Sequence, residues 1–286
     1  MCRPGAYGLP FTEIFMPPRA CTSRPVAVTR MSASSSWPER SASEILSALA
    51  EIDADAVLTL LDRVVGLLSV EELKEVKGNT GRHLVWALEK IAFLEATFER
   101  AALLLPSLAA AENETWGNNA TGRFKRLFPV FLSDTVAGPE ARLRLIDELV
   151  AQNDPSRMPI VVDALLRGAD INSSHRMVGA ETHGSRPALE PWDPKLWKDA
   201  WDYVVACLDR LAILSLRNDA IGARARARMP HTFRPMASAG LIDPIEACVH
   251  RRARPPSWSN GVVSRFRIAL ICREAPCRIR RRPFIW

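Results

Sequence analysis

The stretch Gly117-Asn-Asn-Ala-Thr-Gly122 sets two glycines around four residues, the spacing of a phosphate-binding loop. Such a loop joins a buried strand to a helix and turns backbone N–H groups toward the phosphates. A Lys then reaches the outer phosphates and a hydroxyl holds magnesium. Here Arg123 and Phe124 stand in those two places, and the preceding SLAAAENETW reads as polar helix. No downstream apolar strand ends in an acidic residue. The stretch therefore reads as a turn between helices, with Gly117 at the exit of one and Asn119 or Thr121 capping the next. GNTGRH, at 78–83, also follows a helical pattern and lacks the Lys.

The five histidines offer one further constellation. His175 and His183 lie in NSSHRMVGAETHGSRP with Glu181 between them, residue types that suit a metal or acid–base work. The two imidazoles are eight residues apart, with no helical register to fix them and no evident third or fourth ligand. The stretch 169–193 is long for a connection inside a compact domain. It is thus the first place to expect recognition, through His175, Arg176, Glu181, His183, Arg186 and Trp192. Trp192, Trp197, Trp201 and Tyr203 beside Lys195 and Lys198 could stack nucleobases. The i, i+4 spacing of Trp197 and Trp201 instead predicts core packing at a helix start. RARAR, at 224–228, reads as a solvated face, and RIRRR near the C-terminus would hold nucleic acid only non-specifically. No Ser–His–Asp set assembles, and nothing requires a cofactor.

A chain of 286 positions with 48% hydrophobic and 24% charged residues suits a soluble globular protein. The net charge of +6 is unevenly spread. Residues 251–286 hold ten Arg and one Glu, and residues 1–40 hold five Arg and two Glu. The body, 41–250, carries 23 basic and 29 acidic residues and is mildly acidic. The first residues contain Pro4, Pro10, Pro17 and Pro18, with Glu13 in their only apolar part, so no secretory signal is read and a cytoplasmic location is expected. The six cysteines are scattered without a Cys-x-x-Cys pair, which suits reduced thiols.

Residues 1–40 show no period and read as a disordered leader; Met31 offers an alternative start. From Ser41 the pattern is helical. Ser41 or Ser43 can cap a first helix, and Val57, Leu60, Leu61, Val64, Val65 and Leu68 form a stripe in the second. Ser69 and Glu72 have capping-box spacing, with Gly78 ending that short turn. Leu84, Val85, Leu88 and Ile91 predict a helix, and a turn near 93–95 leads into another that buries Phe98, Ala101, Ala102, Leu105 and Leu108. Pro139 suits a first helical position, Gly168 an end, and Asp-Pro opens helical stretches at 154 and 193. Strand alternation is nearly absent. The expectation is an all-α fold of helical pairs, a HEAT- or armadillo-like solenoid over 41–250, with a compact irregular helical domain as the competitor. Residues 251–286 lose pattern and acidic residues together and read as a basic, poorly ordered tail, the mark of a frame change or truncation.

LVWALEKIAF (84–93), AENETWGNNATGRFKRLF (111–128), RMVGAETHGSRP (176–187) and WDYVVACLDRL (201–211) together resemble the helical-repeat region of bacterial STAND-type signalling NTPases and related antiphage-defence proteins. The resemblance spans roughly 45–255 and carries no effector or NTPase motif. It implies a non-catalytic sensor or scaffold, a truncated or split part of a larger protein, with a protein or foreign ligand held on the repeat surface. The alternatives are non-specific nucleic-acid binding through the tail and, third, a metal-dependent enzyme at His175 and His183.

Overall fold

The computed structural model describes residues 43–76, 78–113, 119–172 and 179–252, with the side chains of Arg251 and Arg252 excepted. All of these residues belong to one unit, Pro38–Trp286. Among them every regular element is helical and no strand occurs. No helix there is long and apolar enough to cross a membrane. The expected leader, the Arg-rich tail beyond residue 252, Gly117, His175 and Arg176 lie outside the described residues.

The first helix, α1 (Leu46–Ile52), starts after Ile45, which makes no capping bond; Ser43 is itself helical and buried rather than the cap. In α2 (Ala54–Val64), Asp53 accepts a hydrogen bond from the Ala56 N–H, satisfying one of the orphan donors of a helix start. Val57, Leu61 and Val65 point inward as the stripe predicts, joined by Leu58, whereas Leu60 is 49% exposed. The helix is rotated by about one residue from the six-membered stripe, because Leu58 meets the core and Leu60 does not. Ser69 and Glu72 close the expected capping box on α3 (Val70–Leu73). Gly78 does not end that turn. It begins α4 (Gly78–Phe93) at φ +60, a conformation that a Cβ disfavours.

Leu84, Val85, Leu88 and Ile91 of α4 are buried, as are Phe98, Ala101, Ala102, Leu105 and Leu108 of α5 (Phe98–Ala110). A single 3-10 turn, Glu95–Thr97, joins these two helices, which pack on each other. The next helices are α6 (Ala120–Arg126) and α7 (Pro139–Gln152), the latter with Pro139 in its first turn. After Asn153 in the left-handed region, Asp154 turns the chain by accepting from Ser156 N–H, and α8 (Met158–Gly168) ends on its glycine. A Cβ on Gly168 would lie 2.6 Å from Cys207 Sγ, so the glycine lets α8 approach α9 (Trp197–Ser215). The chain finishes with α10 (Ala220–Arg228), α11 (Pro230–Ser238) and α12 (Ile242–Arg252).

Packing follows chain order with few detours. α1 lies on α4, α4 on α5, α5 on α6, α6 on α8, and α8 on α9. In turn, α9 carries α10 and α12. Cys207 and Cys248 are buried thiols outside any disulfide among the described residues, and burial pushes the Cys207 thiol up to about 12.

Candidate functional site

The second glycine of the pair, Gly122, lies in the first turn of α6. Asn119 caps α6 by accepting from Gly122 N–H at 2.9 Å. Glu112 then takes the Thr121 N–H and hydroxyl, at 2.9 and 2.7 Å, and the Asn119 amide. Arg123, at the position of a phosphate-loop lysine, is turned into the protein and bonded to Glu89 of α4. Burial lifts the Glu89 carboxyl to about 7, and nearby Asp134 adds to the rise against the Arg123 guanidinium. Burial likewise lowers the Arg123 guanidinium.

From residue 179 onward, the connection before α9 forms a strap over the helices. Lys90 of α4 donates to the carbonyls of Gly179 and Thr182 and pairs with Glu51 of α1 at 2.5 Å. Glu51 also accepts from Gly184 N–H at 3.1 Å. His183 is buried beside this pair, and burial together with Lys90 holds its imidazole below the usual value. Glu181 accepts from Gly179 N–H inside the strap, and Arg186 is exposed. At the far end, Trp192 N–H donates to Thr135 carbonyl at 2.9 Å, and its ring lies over Arg142. Of the six expected recognition residues, Glu181, His183 and Trp192 thus serve the strap's own seating, and Arg186 faces solvent. Among the described residues no three His, Cys, Asp or Glu side chains group as metal ligands would.

Arg142 went unnoticed as a core residue in the sequence. It is wholly buried and donates to Ala137 carbonyl (2.8 Å), Pro129 carbonyl (3.0 Å) and Ser133 hydroxyl (2.7 Å). The rings of Trp192 and Tyr203 flank its guanidinium at 5.2 and 5.8 Å. This fixes the irregular segment 127–138 between α6 and α7.

That segment carries Phe131 and Leu132, the latter at φ +53, next to the start of α9. Trp197 stacks on Trp201 at 5.3 Å and meets Phe131 edge-on at 5.8 Å. Core packing does not hold for Trp197, which is 68% exposed beside exposed Leu196 and Leu132. The i, i+4 spacing brings the two indoles together as expected, but the face they form looks outward. Of the four aromatic residues weighed for stacking, Tyr203 alone is deep in the core, donating to Phe128 carbonyl at 2.8 Å.

A concave surface opens between α6, α8, α10 and α11, with a volume of about 540 Å³. Lys125, Arg126, Arg167 and Arg228 line it with Asp163 and Asp170. Asp163 accepts a two-pronged contact from Arg224, at 3.0 and 2.9 Å, and a further one from Arg228. The RARAR run is therefore no plain solvated face. Two of its arginines hold α8, and Arg226 donates to the carbonyls of Ser215 and Arg217. The signal was present in the sequence as Asp163, the one acidic residue of α8.

No known family model, no curated protein and no solved structure matches this chain.

Proposed function

We propose that this protein is a non-catalytic helical scaffold that recognises a protein partner through the Trp197 face. In this reading the helices stack as pairs of the HEAT or armadillo kind and form the sensor or scaffold region of a larger signalling or defence protein. Chain-order packing from α1 to α9 supports the stacking. The observation that carries recognition is Trp197, left 68% exposed while stacked on Trp201. Aromatic side chains held rigid at a surface are the usual anchors of protein interfaces. The face is edged by Glu190 and Asp193 against Lys195, and Lys198 is taken up by Asp202. Its complement is an apolar segment with basic residues at its margin.

A benzophenone amino acid placed at 197 in the native cells tests this. The expected product is one discrete adduct whose link maps to an apolar, basic segment of the partner, absent when the same group replaces exposed Leu60. Equal labelling at both positions, or none at 197, overturns the reading.

A further inference from the structure

We propose that the cleft between α6, α8, α10 and α11 binds a small molecule bearing a phosphate group. The cleft's four Lys and Arg outnumber its two Asp, although the 41–250 body has 23 basic residues against 29 acidic ones. A positive concavity in a negative body concentrates anions there. Its volume of about 540 Å³ lies within the range of small-ligand sites and exceeds what one inorganic ion would fill.

The cations differ in how far they are already used. Asp163 holds Arg228 in place, and Asp170 holds Arg167 at 3.2 Å, so those two guanidiniums are positioned before any ligand arrives. The Lys125 ammonium makes no ion pair or hydrogen bond among the described residues. Arg126, also in the lining, turns its Nη1 toward Asp134, whose carboxylate stands 3.8 Å away. Guanidinium forks and an ammonium together suit the several oxygens of a phosphate. Leu166 and Thr232 give the remainder of the molecule a partly apolar wall. Lys125 and Arg126 of GRFKR thus line an anion site, by side chains rather than by the backbone cradle that the glycine spacing suggested, while Arg123 turns away to Glu89.

Calorimetric titration of the full chain with pyrophosphate at fixed ionic strength tests this. The variants are Lys125→Glu and, on the exposed segment just before α9, Lys195→Glu; neither side chain has a partner whose loss would unfold the chain, and circular dichroism checks both. Saturable binding weakened by about tenfold or more in Lys125→Glu and unchanged in Lys195→Glu is the expected result. No saturable binding, equal loss in both variants, or full retention in Lys125→Glu (the signature of the Arg-rich termini) overturns the proposal. So does cleft-dependent binding of a DNA oligonucleotide with no response to pyrophosphate.

Discussion

Arg142 and Arg123 are both buried arginines, yet their surroundings solve the same problem differently. Arg123 faces a carboxylate, Glu89, with Arg126 and Asp134 close by. Arg142 has two carbonyls, a hydroxyl and two aromatic rings. Desolvation opposes the charge in both places. The difference lies in what remains when the arginine is removed. Glu89 can take a proton and become neutral. The carbonyls around Arg142 have no such escape and stay buried without a donor.

The sharpest break of this comparison is Arg142→Met, which strands three acceptors. It should cost about 3–5 kcal/mol in urea unfolding, with Arg142→Lys recovering little because an ammonium lacks the fork. Arg123→Met should cost less, about 2–3 kcal/mol near neutral pH, since Glu89 protonates in response. A loss larger than that of Arg142→Met would reverse the ranking and sink the argument.

The proton itself is the next test. A Glu89 carboxyl loses its proton near 4.5 when unfolded and near 7 when folded, so between those values the folded chain holds more protons. This group's contribution therefore falls as pH rises, by about 2 kcal/mol from pH 5 to 7. Urea midpoints against pH should show the decline in the wild type and lose it in Glu89→Gln; an unchanged slope in the variant would exclude Glu89 as its source. Trp192→Leu, which removes one ring from Arg142, should cost about 1–2 kcal/mol by the same unfolding assay. Tyr203→Phe keeps the ring and removes the hydroxyl with its bond to Phe128 carbonyl, and should cost about 1 kcal/mol; a cost above that of Trp192→Leu would shift weight from the rings to the hydroxyl.

The comparison also marks where sequence reading succeeds. The Ser69–Glu72 box, the Pro139 start, the Gly168 end and the α4 stripe are set by neighbours within a few residues, and all are found. Arg142 lies in PEARLRLIDELV two residues from both Glu140 and Arg144, and looks like surface. Its burial depends on carbonyls five and thirteen residues upstream in a segment with no period of its own. The roles of Arg224 and Arg228 rest on Asp163, more than sixty residues earlier. Of the candidate loop, the sequence marked its place but not that His183 would be sealed against Lys90 and Glu51. Trp197 was legible as a partner of Trp201; which way the pair faced depended on what the rest of the chain covered.

The strap has a consequence in time. Its seat joins Gly184 to Glu51 across 133 residues, and Lys90 to Gly179 and Thr182 across 89 and 92. Contacts so distant along the chain close only after the entropy of the intervening loop has been spent, so they belong late in folding. The bonds are exposed, which makes them early to open. The Gly184 amide should exchange with solvent well before the amides of α4 do. Each such opening would bare His183 while the helices beneath keep their order, giving the molecule a second, faster rhythm than global unfolding.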